Sequence, residues 1–214
     1  IHNNTGINPH YACVRRLDQG FLHLATLFGR TVVYFTKPDG VLIQPFSDLC
    51  PSVTVECGQA GQMYGVEHGF DYLRACLHLA EIPTHPVAAH DINLFHTVAI
   101  VKVPRDVSFS FDSDDADIQF NRDLDHFNFR ELPAGTPLGR IRTGSHARLE
   151  VRDGHSHRLL RTLKLAGDCD RLVGCARLAV AARGGLVTFA PTDELGPQFW
   201  WNAGSLNAMA GEEG

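Results

Sequence analysis

The sequence predicts an α/β fold that gives way to a mostly β second part. Three observations carry that expectation. Apolar residues recur at helical spacing within residues 16–28 and 64–82. Short β-branched runs at 31–35 and 53–56 lie between those helices. After Asn93 the chain becomes a series of β-prone segments separated by Asp, Gly and Pro clusters. The expected units are an α/β portion over 1–91, a mostly β domain over 92–203 and a Gly/Ala/Glu-rich flexible tail over 204–214.

Gly6 to Pro9 reads as a loop. Leu17, Phe21, Leu24, Leu27 and Phe28 give the apolar face of a helix from Arg16 to Phe28, with Gly29 as its stop. Thr31–Phe35 is β-branched and aromatic, hence a strand, and Pro38-Asp-Gly40 is a turn. Val53–Glu56 is the next strand, ended by Gly58. A second helix falls within Tyr64 to Ile82, with Phe70, Leu73, Leu77 and Ala80 as its stripe, and Pro83 and Pro86 end it. Phe95–Val103 is a strong strand. Val107–Phe111, Arg148–Arg152, Arg158–Leu163 and Leu186–Ala190 follow, with Asp153-Gly154 as a hairpin turn between two of them. Leu172–Ala182 fits either strand or helix.

Composition narrows the function classes. A chain of 214 residues with 44% hydrophobic and 20% charged residues is an ordinary globular protein rather than a disordered one. The net charge of −5 and the scattered arginines give no footprint for nucleic acid. No apolar run approaches the ~18 residues that a membrane span needs. The six cysteines form no C-x-x-C pair, and Cys50, Cys57 and Cys76 lie among apolar residues, which favours buried, reduced thiols and a cytoplasmic location. The opening Ile-His reads as the end of a strand within a longer protein.

Two residue types draw attention for their chemistry. His2, followed by Asn3-Asn4-Thr5-Gly6, sits at a strand end, where open α/β sheets place ligands and where imidazole makes a good zinc donor. A lone histidine in a polar loop is more often structural or simply exposed. Glu56 arrives at the end of an apolar strand, where a buried carboxylate must face a cation, a partner or a cleft. A solvated strand end or an arginine partner accounts for such a glutamate equally well. His78-Leu-Ala-Glu81 has H-x-x-E spacing inside an amphipathic helix and reads as chance. Asp153-Gly-His-Ser-His157 reads as an exposed turn, Asp112–Asp117 as a solvated acidic turn, and Trp200-Trp201 as packing of the tail. His85, His90 and His96 share no ligand spacing.

Several runs together resemble the succinylglutamate desuccinylase/aspartoacylase family, a branch of the zinc carboxypeptidase-like hydrolases. They are I-H-N-N-T-G-I-N-P-H-Y-A-C at 1–13, P-D-G-V at 38–41 and P-S-V-T-V-E-C-G at 51–58. D-H-F-N-F-R-E-L-P-A-G-T-P-L-G at 125–139 resembles that family's C-terminal β domain. The resemblance implies the C-terminal part of a zinc-carboxypeptidase-like sheet-and-helix domain, followed by a mostly β domain. It implies Zn²⁺ as cofactor, His2 as the third zinc ligand, Glu56 as general base and Asn3 beside the substrate. The implied reaction is hydrolysis of the amide of an N-acyl amino acid or similar small molecule.

The sequence departs from the family pattern in one respect. The family's first two ligands form an H-x-x-E upstream of the residue matched by His2, as does its substrate-binding arginine, and neither segment is among these 214 residues. The expectation is therefore a fragment that is inactive by itself, with sheet strands missing and Val32, Val33, Val53 and Val55 left without partners. A carboxypeptidase acting on peptides is the nearest rival. A non-catalytic binding module, with its surface on the β domain, is the reading from a different class.

Overall fold

The structure is a computed structural model that describes residues 1–4, 7–37, 39–130, 136–154, 156, 159–163, 171–174 and 186–191. Its first part runs β1 (His2–Asn4), β2 (Tyr11–Val14), α1 (Gln19–Phe28), β3 (Thr31–Tyr34), α2 (Ile43–Ser47), β4 (Thr54–Gln59) and α3 (Met63–Leu77). Strands β5 (Asn93–Lys102), β6 (Phe109–Ser110), β7 (Ile118–Phe120), β8 (Thr136–Ile141), β9 (Leu149–Asp153), β10 (Leu159–Leu163), β11 (Arg171–Gly174) and β12 (Leu186–Pro191) follow. The fold is mixed α/β, with its α-helices early in the chain.

Among the described residues the strands form two sheets. The larger has the order β1-β4-β2-β3-β5-β9-β10, with β12 also on β5. Pairs β1/β4, β2/β3 and β3/β5 are parallel, whereas β2/β4, β5/β9, β9/β10 and β5/β12 are antiparallel. This sheet therefore continues across the compositional change near residue 92: β5 joins β3 in parallel and then recruits antiparallel strands. The smaller sheet, in the order β11-β8-β7-β6, is filled by Ile118, Phe120 and Leu138, with Leu124 buried nearby.

Alternation along the strands sorts side chains onto two faces. Ala12, Val14, Val32, Val55 and Cys57 point to one face and form the main core with Phe21, Leu22, Ala25 and Phe28 of α1 and Tyr72 of α3. Tyr11, Val33 and Phe95 form a smaller core on the other face, with Cys13 and Phe129 against it.

Several expectations need correction. Val32, Val33 and Val55 have partners: they are 0%, 2% and 1% exposed. Helix α1 starts at Gln19 rather than Arg16, because Asp18 is extended and its carbonyl accepts the first helical N–H groups, from Phe21 and Leu22. Its buried face is Phe21, Leu22, Ala25 and Phe28, while Leu17 and Leu27 are exposed. In α3 the expected apolar stripe faces outward: Phe70, Leu73 and Leu77 are 62%, 47% and 86% exposed. Gly65, Gly69 and Tyr72 face the sheet instead. Segment 107–111 supplies only the two-residue β6, and Cys50 is exposed. Residues 175–182 of the ambiguous segment, Trp200 and Trp201 lie outside the described residues.

The reason for the rotation of α3 is steric. A Cβ on Gly65 would lie 2.1 Å from the carbonyl oxygen of Cys57, and one on Gly69 would lie 3.2 Å from the Cys57 Sγ. The helix is seated on β4 through glycines, whose contribution a hydrophobicity pattern does not register. Gly65→Ala should therefore lower the thermal midpoint by several degrees, for an overpacking cost of about 1–3 kcal/mol. Gly69→Ala, which meets only a thiol, should cost less. A Gly65→Ala midpoint equal to that of the parent would show that α3 is not seated this way.

Candidate functional site

Strand β4 places Glu56 on the face opposite the helices, because Val55 and Cys57 on either side of it enter the main core. Two strands flank it. In β1 the partner in register is His2; in β2 it is Tyr11. His2 Nδ1 lies 3.4 Å from Glu56 Oε2, an ion-pair distance, with the histidine side chain 70% exposed and the glutamate 15%. An imidazole open to solvent thus sits against a carboxylate that is mostly withdrawn from it.

The register of β1 on β4 shifts after His2, so that Asn4 lies opposite Gln59. Gly58 makes that bulge possible: its φ of +79° is left-handed backbone that glycine adopts without strain. Alternation within β1 puts His2 and Asn4 on one face and Asn3 on the other. Asn4 is the side chain that favours ionised Glu56 together with His2. The Asn4 amide atoms and Glu56 Oε2 are buried and make no hydrogen bond in this conformation.

Burial pushes the Glu56 carboxyl above the ordinary carboxylate range, and His2, the N-terminal ammonium group and Asn4 offset part of that rise. The neighbouring Cys13 thiol is pushed up as well, first by burial and then by the Glu56 charge.

Asn3 is exposed and lines a groove of about 480 Å³ with His2, Cys57, Gly69, Phe70 and Leu73, between β1 and the outer side of α3. The structure therefore brings His2 and Glu56 together and adds Asn4 and Tyr11, which the sequence reading did not single out. Period-two alternation from His2 was the available signal for Asn4.

The other sequence candidates have structural partners. His78 Nδ1 is 2.6 Å from the Arg74 carbonyl at the end of α3, so His78 and Glu81 form no site. Asp112 pairs with Arg122, Asp114 with Arg140 and Asp117 with Arg142. The Ser108 hydroxyl and then Arg142 hold the Asp117 carboxyl well below its usual range. Asp153 Oδ1 accepts bonds from the Ser156 backbone and hydroxyl, as in an ordinary turn; His155 and His157 lie outside the described residues. The His85 carbonyl contacts His23, His90 pairs with Asp91, and the His96 ring packs on Tyr34.

The donor set can be tested against zinc. A catalytic zinc takes three protein ligands and an open position. Among the described residues no group of three or more His, Cys, Asp or Glu could hold a metal ion. His2 and Glu56 are two donors on adjacent strands, so the described residues do not complete a zinc site. No described helix is long and apolar enough to cross a membrane.

No family model matches the sequence, and no curated protein matches it. Among solved structures the chain is similar to the succinylglutamate desuccinylase from Chromobacterium violaceum, at 19% identity and a TM-score of 0.39, over 63% of this chain. The match spans 43% of that structure's chain, less than half its length.

The raised Glu56 pKa has a stability consequence with a definite sign. A carboxyl harder to ionise when folded stabilises the fold fully below its unfolded pKa, and that contribution is lost as pH rises through the folded value. Glu56→Gln, neutral at every pH, should therefore raise the thermal midpoint at pH 7. The gain should shrink as the pH is lowered into the carboxylate range. Equal midpoints at pH 7, measured by circular dichroism, would remove the desolvation argument.

Proposed function

We propose that this chain carries the catalytic carboxylate of an amide hydrolase acting on an N-acyl amino acid or a similar small molecule. In this reading residues 1–91 are the C-terminal portion of a zinc-carboxypeptidase-like domain, and 92–203 form a mostly β domain beside it. The observation that carries the proposal is the register of β1 on β4. It sets His2 at 3.4 Å from Glu56, a carboxylate whose burial makes it a stronger base than a surface glutamate.

The proton steps need only Glu56. The ionised carboxylate takes a proton from water as the water oxygen bonds to the amide carbon. The tetrahedral species then breaks its C–N bond, and the proton passes from Glu56 to the leaving nitrogen. The products are a carboxylic acid and an amine, with Glu56 ionised again. A base poised nearer neutrality suits both halves of that cycle. Asn4 and His2 favour the ionised form and thereby orient it.

His2 is the proposed donor from this chain to a zinc ion, and the remaining donors are not among the described residues. Asn3 is proposed beside the substrate from the family resemblance alone; the groove that it lines lies on the α3 side of β1, the face opposite Glu56.

Two measurements test the reading. In the zinc-loaded protein that carries this chain, Glu56→Gln should keep its fold and metal content and lose about 10²- to 10⁴-fold in turnover of N-acetyl or N-succinyl amino acids, the usual worth of a general base. Near-normal turnover would take Glu56 out of the mechanism, and no turnover by the parent would favour a non-catalytic module. The 214-residue chain alone, saturated with zinc and dialysed, should retain well under one equivalent by elemental analysis. A full equivalent that His2→Ala abolishes would show that the other donors lie within the chain.

A further inference from the structure

Helices α1 and α3 pack on the other face of the large sheet, and among the described residues the Glu56 face is covered in part by residues from the second half of the chain. Tyr11, directly across from Glu56, is buried to 5% exposure with Val33 and Phe95. The Phe129 ring lies 4.8 Å from the Tyr11 ring and 5.8 Å from that of Phe95, and Cys13 packs in the same group.

Two features of the turn at 128–129 make this more than a passing contact. Phe129 is the one described non-glycine residue with positive φ, at 55°. A bulky residue in left-handed backbone is strained and persists only where its surroundings over-determine it. Its neighbour Asn128 is 6% exposed, and its Nδ2 donates to the carbonyl of Ile7 at 3.2 Å, across 121 residues of sequence. Ile7 belongs to the loop that leaves β1 just after His2 and Asn4 and returns as β2. The two residues therefore hold the Glu56 neighbourhood from two directions.

We infer that Asn128 and Phe129 are positioning residues for the Glu56 site: Asn128 anchors the loop that follows His2 and Asn4, and Phe129 closes the sheet face beside Glu56. The inference rests on the proposed role of Glu56, but its test does not involve hydrolysis. Turn 128–129 thereby ties down the β1–β2 loop and covers the sheet face next to Glu56. The strain at Phe129 is offset by its ring contacts with Tyr11 and Phe95.

Thiol alkylation of the 214-residue chain by N-ethylmaleimide, read site by site by mass spectrometry, has a built-in control. Cys13 lies on the Glu56 face, and Cys57 is buried on the helix face. Phe129→Gly removes the ring while leaving a residue that tolerates the left-handed backbone. It should speed alkylation of Cys13 about tenfold through local opening and leave Cys57 at the parent rate. Phe129→Tyr keeps the ring and should restore the protection. Asn128→Asp keeps the shape but cannot donate, and should speed hydrogen exchange of the peptide covering 7–12 while that of α1 is unchanged. Parent-like rates at Cys13 and at 7–12 would overturn the inference. So would equal acceleration of Cys13 and Cys57, which marks general loosening. If the protection behaves as expected and no amide is hydrolysed, the reading of Glu56 as a catalytic base fails, and the positioning of the loop and face stands.

Discussion

Strand β4 is held from three sides, and the direction in which each of its residues points decides what its neighbours can be. Cys57 turns to the helices, where its carbonyl oxygen meets α3 so closely that position 65 must be glycine. Val55 enters the same core. Glu56, between them, has only the other face available. On its edges β4 is paired with β1 in parallel and β2 antiparallel, which fixes His2 and Tyr11 as its lateral neighbours. The bulge at Gly58 then re-aims the chain, so that Asn4 also reaches the carboxylate. The candidate site thus follows from the packing of one six-residue strand.

The two faces differ in how they are stabilised. The helix face buries ten residues in a contiguous core built from α1, α3 and three strands. The Glu56 face buries three, with Cys13 and Phe129 partly covering them. A carboxylate on the thinly covered face can be withdrawn from solvent and still be reached. On the helix face it would be sealed, and its ionised form would be far costlier. The thinner layer carries Glu56 and is covered in part by Phe129, from beyond residue 91.

Much of this arrangement was legible in the sequence, and the failures have physical causes. Val53–Glu56 reads as an apolar strand ending in a carboxylate, and that pattern alone led to Glu56. The strands at 31–34, 93–102, 149–153 and 159–163 follow from β-branched runs and the Asp153-Gly154 turn. The outward face of α3 was misread because hydrophobicity counts Phe70, Leu73 and Leu77 and gives no weight to glycine. The determinant there is a helix-to-strand distance that only Gly65 permits. Asn3 follows from the resemblance as the residue beside the ligand, whereas Asn4 comes to Glu56 because a strand sends alternate residues to the same face. Asn128 and Phe129 were legible only as part of a longer run. Nothing local tells that Asn128 will meet a carbonyl 121 residues away or that Phe129 will accept a positive φ.

The contrast between a hydrolase and a non-catalytic module turns on what Glu56 gains from its position. A module needs no buried carboxylate, and an apolar residue at position 56, inside β4, would face Tyr11 without a desolvation cost. A glutamate paired purely for structure would be expected to have its hydrogen-bonding capacity filled and its pKa lowered by its partner, as Asp117 has through Ser108 and Arg142. Glu56 differs in the second respect: burial outweighs His2 and Asn4, so the carboxyl is pushed up rather than down. The same chain thus holds one carboxylate lowered by its hydrogen bonds and another raised by burial beside an exposed imidazole.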